Sequence, residues 1–95
     1  MSVVKVEGER RAHDIFLYTL STCGWCKKTK RFLKEEGFEY EYLDIDTCSA
    51  EERKKATEEI KNRKLPLGFP VIIIDGDEVI SGFNEKAIRE ALDID

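Results

Sequence analysis

The stretch Ile15-Phe16-Leu17-Tyr18-Thr19-Leu20-Ser21-Thr22-Cys23-Gly24-Trp25-Cys26 decides the architecture of this chain. Its first six residues form a nearly continuous run of apolar and β-forming side chains, the pattern of a central strand covered on both faces in a parallel or mixed sheet. Residues 26–36 are rich in Lys, with Glu and Leu among them, and are followed by Gly37, which reads as a helix and its stop signal. The two cysteines therefore fall in a tight turn between a buried strand and a helix.

Working outward, Phe38-Glu39-Tyr40-Glu41-Tyr42 alternates apolar and acidic residues and continues through Leu43, Asp44 and Ile45, as a half-covered strand near a sheet edge would. Ser49-Ala50-Glu51-Glu52 has the spacing of a capping box, and the helix it opens is expected to run to about Arg63. Its apolar stripe, Ala56 and Ile60, is thin, so it should lie on the sheet surface. Lys64-Leu65-Pro66-Leu67-Gly68-Phe69-Pro70 is a connection, because two prolines and a glycine deny it regular pairing. Val71-Ile72-Ile73-Ile74 reads as a strand, Asp75-Gly76 as a hairpin turn, and residues 78–80 as its antiparallel partner. Asn84 caps a last helix bearing Ala87, Ile88, Ala91 and Leu92 on one face. The expected order is β-α-β-α-β-β-α: a four-stranded mixed α/β sheet flanked by three helices, with Val3-Val4-Lys5-Val6 available as an extra N-terminal strand. Residues 1–95 are expected to form one domain, with its core over about 14–93.

Composition narrows the function classes. Apolar residues make up 41% and charged residues 38%, the balance of a well-solvated globular protein. No apolar run approaches the ~18 residues of a membrane span. The net charge of -4 gives no basis for tracking nucleic-acid phosphates. The opening residues have scattered charges and no apolar h-region, so a cytoplasmic location is expected. Three cysteines, two of them close together in sequence, do not make a disulfide scaffold, so the pair reads as chemistry.

A C-x-x-C at a helix start places the first sulfur where backbone N–H groups and the helix dipole stabilise a thiolate. Such surroundings bring a free cysteine from about 8.5 to roughly 3.5–7.5, which makes Cys23 the expected nucleophile. Cys26, one turn further on, should face the core and attack a mixed disulfide formed at Cys23. Trp25 reads equally as a docking surface or a shield beside the sulfur. Lys27, Lys28, Lys30, Arg31 and Lys34 make the helix basic. Ordinary solvation of an exposed face is the first reading, and attraction of acidic clients or of negative charge on sulfur the second. A C-x-x-C is also half of a zinc site, but the further candidates are only Cys48 and His13, and no metal is expected. Cys48, near the second helix start, is read as incidental, and His13 receives no role.

With Cys23-Gly24-Trp25-Cys26 after a buried strand, Phe69-Pro70 before another and Ser81-Gly82-Phe83 before the last helix, the chain resembles the glutaredoxins and glutaredoxin-like redoxins of the thioredoxin superfamily, over nearly its whole length from about Ile15. The resemblance implies a thioredoxin-like fold and a dithiol thiol–disulfide oxidoreductase. It further implies that Pro70 is a cis-proline opposite the cysteine pair, that Phe69 offers backbone groups to an incoming peptide or glutathione, and that Trp25, Gly82 and Phe83 complete the substrate site. No organic cofactor is implied beyond the redox-active Cys23–Cys26 disulfide. The implied partners are protein disulfide clients, met by a monomer.

The electron donor is read from departures. Glutathione-using members usually carry Lys or Arg where this chain has Leu20, Thr-Val-Pro where it has Gly68-Phe69-Pro70, and Gly-Gly-Cys-Asp where it has Ser81-Gly82-Phe83-Asn84. A protein disulfide reductase is therefore expected as donor rather than glutathione. Ser-Gly-Phe is similar to the NrdH-type redoxins, which take electrons from a flavin-dependent thioredoxin reductase and reduce ribonucleotide reductase, although these tend to be basic at the Leu20 position. Gly24 is also similar to the glycine of members that bridge a [2Fe-2S] cluster with glutathione between two subunits. Under that alternative Cys23 is a cluster or metal ligand, and Cys26, which allows disulfide closure, counts against it.

Overall fold

The computed structural model describes residues 3–64 and 68–94. In chain order its elements are β1 (Val4–Val6), β2 (Ile15–Thr19), α1 (Gly24–Glu35), β3 (Tyr40–Asp44), α2 (Ala50–Asn62), β4 (Val71–Ile74), β5 (Glu78–Ser81) and α3 (Glu85–Ala91). The strands form one mixed sheet in the order β1-β3-β2-β4-β5. β2 lies at its centre, parallel to β3 and antiparallel to β4.

That central place explains the unbroken apolar run of β2. Ile15 and Leu17 point to the face covered by α1 and α3, where Leu33, Ile88 and Leu92 pack, whereas Tyr18 joins Ala56 and Ile60 of α2 on the other face. β4 divides likewise, Ile72 and Ile74 to one side and Val71 and Ile73 to the other. A strand with both faces covered must fill them with apolar side chains or give its polar groups partners, and here the Tyr18 and Thr19 hydroxyls donate to Glu59 and Asp44. The expected N-terminal strand is present as β1 and pairs antiparallel with β3. β3 is consequently the second strand, one place in from the edge, as its alternation implied. The acidic side chains of the pattern mark where helix cover is thin, not where pairing ends.

Helix α1 begins two residues before the position expected from composition, because Cys23 itself is the N-cap. It stops at Gly37, whose φ of 79° lets its N–H reach Lys34 O at 3.0 Å while the Phe38 N–H reaches Leu33 O at 2.9 Å. This pair of bonds satisfies the last carbonyls and turns the chain into β3. The capping box at α2 forms in a variant arrangement, in which the Glu52 N–H donates to Ser49 Oγ at 3.2 Å and the Glu52 carboxylate accepts from the Ser49 hydroxyl at 3.1 Å. The hairpin at Asp75-Gly76 uses positive φ at both residues. Part of the expected connection, residues 65–67, lies outside the described residues.

At the sheet end away from the cysteines, His13 Nδ1 lies 2.8 Å from Asp75 Oδ2 and His13 Nε2 lies 3.5 Å from Asp93 Oδ2. Asp75 Oδ1 also accepts the Asp14 N–H at 2.9 Å. One imidazole thus ties the start of β2 to the β4–β5 turn and to the end of α3. The Asp75 hydrogen bond raises His13 above the ordinary imidazole value, and His13 holds Asp75 below the usual carboxylate range.

A raised histidine stabilises the fold below its unfolded value and stops doing so as pH rises through its folded value, and a lowered carboxylate stops as pH falls through its own. Asp75→Asn keeps an acceptor for Asp14 and suits the left-handed backbone at φ 54° but removes the charge. Thermal denaturation across pH should show its deficit against wild type greatest between roughly pH 4 and 6.5. The deficit should close on either side. Separately, a Cβ on Gly8 would fall 2.6 Å from Gly37 O and from the Phe38 carbonyl carbon, backbone atoms that cannot step aside. Gly8→Ala should cost about 1–3 kcal/mol in denaturant unfolding.

Candidate active site

β2 delivers its C-terminal end to a turn that is closed by the Cys23 N–H donating to Leu20 O at 3.1 Å. The turn is pinned to the segment after β3, where Asp46 accepts the Ser21 N–H at 2.9 Å and the Ser21 hydroxyl at 2.6 Å. Those two bonds hold the Asp46 carboxyl below its usual range. Cys23 then caps α1: its Sγ accepts the Cys26 N–H at 3.1 Å. Cys23 is half-buried and Cys26 fully buried, and both are free thiols. Burial pushes the Cys26 thiol well up, assisted by its hydrogen bond with Cys23 and opposed by the Leu20 backbone and by the Lys30 charge.

Lys30 is not part of the solvated face that its neighbours form. It lies one turn beyond Cys26, and its Nζ sits 3.1 Å from Asp44 Oδ1 and 3.8 Å from the centre of the Tyr42 ring. The Lys30 and Asp44 side chains are only 19% and 20% exposed. The same Asp44 oxygen accepts the Thr19 hydroxyl at 2.5 Å. A cation is thus held in a fixed place behind the inner thiol by groups from β2 and β3. Sequence reading missed Thr19, Asp44 and Tyr42 in this network. The i, i+4 spacing of Cys26 and Lys30 was the one local signal available.

The cysteine turn, the Phe69-Pro70 segment and the Ser81-Gly82-Phe83 segment converge. Val71 pairs with Tyr18, so Pro70 lies at the sheet end where β2 enters the cysteine turn. The Phe69-Pro70 peptide is cis, and the buried Pro70 gives its carbonyl to the Gly82 N–H at 2.7 Å. Phe69 is half-buried against the α2 side of the core. Gly82 brings Phe83 to α1, where it stacks on Trp25 at 6.2 Å and 14° and meets Phe32 edge-on at 5.9 Å. Trp25 is still 58% exposed.

Cys48 and His13 stand apart from this cluster. Cys48 is buried in the α2-side core with Sγ 3.6 Å from Ile45 O, and His13 is engaged with Asp75 at the start of β2. Among the described residues no three His, Cys, Asp or Glu side chains gather as a ligand set.

A family model of glutaredoxin matches residues 15–79, across the turn, the cis-proline segment and the hairpin. The chain belongs to the glutaredoxin family. It is 37% identical over 79 residues, 83% of this chain and 97% of the relative, to a glutaredoxin-like 8.6 kDa protein of the rubredoxin operon of Clostridium pasteurianum. The crystal structure of a glutaredoxin from Methanosarcina mazei matches with a TM-score of 0.81 and 37% identity, over 97% of this chain and 88% of that one. NrdH-redoxin from Escherichia coli, a glutaredoxin-like protein with a thioredoxin-like activity profile, matches with a TM-score of 0.63 and 30% identity over 85% of this chain and 93% of that one. The expected thioredoxin-like architecture is therefore the one present, including the additional N-terminal strand. Membership of this glutaredoxin family supports thiol–disulfide oxidoreductase activity on protein or thiol substrates. No described helix is long and apolar enough to cross a membrane.

Titrating thiolate absorbance in a Cys23→Ser, Cys48→Ser background should place Cys26 well above a free cysteine. Lys30→Met should move it higher still, because the opposing charge is gone, and Lys30→Arg should leave it near the parent value. A parent titration indistinguishable from free cysteine would contradict the burial argument.

Proposed function

We propose that this chain is a dithiol electron carrier that reduces protein disulfides, with Cys23 attacking and Cys26 resolving. The observation that carries this reading is the position of Cys23 Sγ as the N-cap of α1, accepting the Cys26 N–H at 3.1 Å with the Cys26 side chain fully buried behind it. An outer sulfur at the positive end of a helix is the one a client can reach, and the N–H aimed at it stabilises negative charge there.

In the first step the Cys23 thiolate attacks one sulfur of the client disulfide. A Cys23–client disulfide forms, the client S–S bond breaks, and the departing client thiolate takes up a proton. Cys26 then loses its proton and attacks Cys23 Sγ, releasing the second client thiolate and closing a Cys23–Cys26 disulfide. Two electrons pass to the client. Burial keeps Cys26 a thiol until this second step, which gives the order of attack, and Lys30 supports the charge that Cys26 must then carry.

Pro70, Phe69, Gly82 and Phe83 shape the groove beside the sulfurs and Trp25 borders it. The bond from the Gly82 N–H to Pro70 O fixes two of its walls against each other. A protein disulfide reductase, rather than glutathione, returns the electrons. Leu20 and the Ser81-Gly82-Phe83 segment support this, as does the likeness to the redoxin with a thioredoxin-like activity profile. The redox-active pair needs no bound organic cofactor, and the chain works as a cytoplasmic monomer.

Redox titration in dithiol/disulfide buffers, with thiols counted by alkylation and mass spectrometry, should give a reversible two-electron couple between about -270 and -180 mV. Cys23→Ser should reduce client turnover to the uncatalysed background. Cys26→Ser should accumulate mixed disulfides at Cys23. A pair that resists oxidation, or a Cys26→Ser protein that traps no client, would refute the assignment.

A further inference from the structure

Five cations and a single carboxylate, Glu35, stand on α1 in a chain whose net charge is -4. The first turn holds no acidic residue, where helices ordinarily gain stability from one. Lys30 is spoken for by Asp44, whereas Lys27, Lys28, Arg31 and Lys34 are exposed, and among the described residues none of these four has a carboxylate within ion-pair distance. Elsewhere Lys5 and Arg11 share Glu39, Arg63 pairs with Glu59, and Arg89 with Glu36 and Glu85, while the cations of α2, Arg53, Lys54, Lys55 and Lys61, stand on a helix that also carries Glu51, Glu52, Glu58 and Glu59, a balance that α1 lacks.

The four unpaired cations fall at spacings of one, three and three residues, which puts them on one exposed side of the helix, starting within a turn or so of Cys23. Lys28 links them to the aromatic platform, its Nζ lying 5.3 Å from the centres of both the Trp25 and the Phe83 rings. Beside it, Lys28, Arg31, Phe32, Glu35, Phe83 and Glu85 line a depression of about 230 Å³. An apolar seat on the helix of the reactive sulfur thus continues into a strip where four cations face two carboxylates, Glu35 and Glu85, the latter already paired with Arg89.

We propose that this face of α1, from the Trp25–Phe83 pair to Lys34, is the docking surface for an acidic polypeptide segment of the protein that exchanges disulfides with Cys23. The proposal rests on the oxidoreductase reading and names the class of its partner. The segment seats an apolar or aromatic residue on Trp25 and Phe83 and lays its carboxylates along Lys27, Arg31 and Lys34. Aligned charge of this kind raises the encounter rate more than the final affinity, and salt screens it.

The test uses three disulfide-linked peptides of equal length with flanks rich in Glu, in Ser or in Lys, mixed in single turnover with the reduced protein or with its Lys27→Gln, Arg31→Gln, Lys34→Gln variant. Wild type should reduce the Glu peptide about tenfold or more faster than the Lys peptide at low ionic strength, with the preference falling as salt is added. The variant should lose the preference while its rate on the Ser peptide stays within about twofold of wild type. Equal rates on all three peptides, or a preference that survives in the variant, would overturn the proposal. If neither protein reduces the Ser peptide, the oxidoreductase reading itself fails. Docking is then read alone by anisotropy with a Glu peptide whose cysteines are serine. Binding that weakens in the variant and in salt sustains the surface, and binding no tighter than that of the Lys peptide, or weaker than that of a single-stranded oligonucleotide, removes it.

Discussion

The hydrogen bond from the Cys26 N–H to the Cys23 sulfur acts on structure and chemistry together. It satisfies one of the donors that every helix start leaves open, so it stabilises α1 where strand β2 hands over the chain. It also aims a backbone dipole at the outer sulfur, next to an inner one deprived of water. The bond can form only because β2 ends where it does and because the Leu20 carbonyl accepts the Cys23 N–H to close the turn. Moving the cysteine by one residue would lose both the cap and the relation between the two sulfurs.

The remainder of the sheet holds this junction still. β2 is paired on both sides and covered on both faces, so its C-terminal end has little freedom. Asp46 ties the turn from the β3 side, and the cis Phe69-Pro70 segment lies beside it on the β4 side. Asp44 and Tyr42 hold Lys30 behind Cys26, which converts a helix-surface cation into a fixed electrostatic partner of the buried thiol. That device costs the desolvation of two charges, lessened by the partial exposure of both and by the Thr19 hydroxyl that also binds Asp44.

Charge is segregated across the molecule. The chain is acidic overall, yet its most basic element is the helix that carries the cysteines, and most of the paired cations lie away from the exposed side of that helix. Read as composition, five cations on a helix look like ordinary solvation. The positions of Lys28 over two rings and of Lys30 beneath the surface separate them into three kinds: one that serves the inner thiol, one that braces the aromatic platform, and three that face outward.

The elements themselves were legible because each follows from local physics. A strand covered on both faces is built almost wholly from apolar and β-forming side chains, as residues 15–20 and 71–74 are, and Gly37, Ser49, Asn84 and Asp75-Gly76 act within a few residues of their own backbone. The cysteine pair was legible for the same reason, since its spacing and its place after a strand are properties of one short stretch. Strand order was less so: that β3 lies inside the sheet depends on β1 returning to pair with it, a contact between residues more than thirty positions apart. The Thr19–Asp44–Lys30 network, the stacking of Trp25 on Phe83 and the bracing of the sheet end by His13 were not legible at all, because each joins separate elements whose side chains meet only after the sheet has formed. Residues close together in the chain carried the order of elements, the cysteine pair and the resemblance to the family. Which charges are held inside the fold and which stay exposed follows only from the tertiary structure, because a side chain's electrostatic role is set by what surrounds it, and those surroundings come from distant parts of the chain.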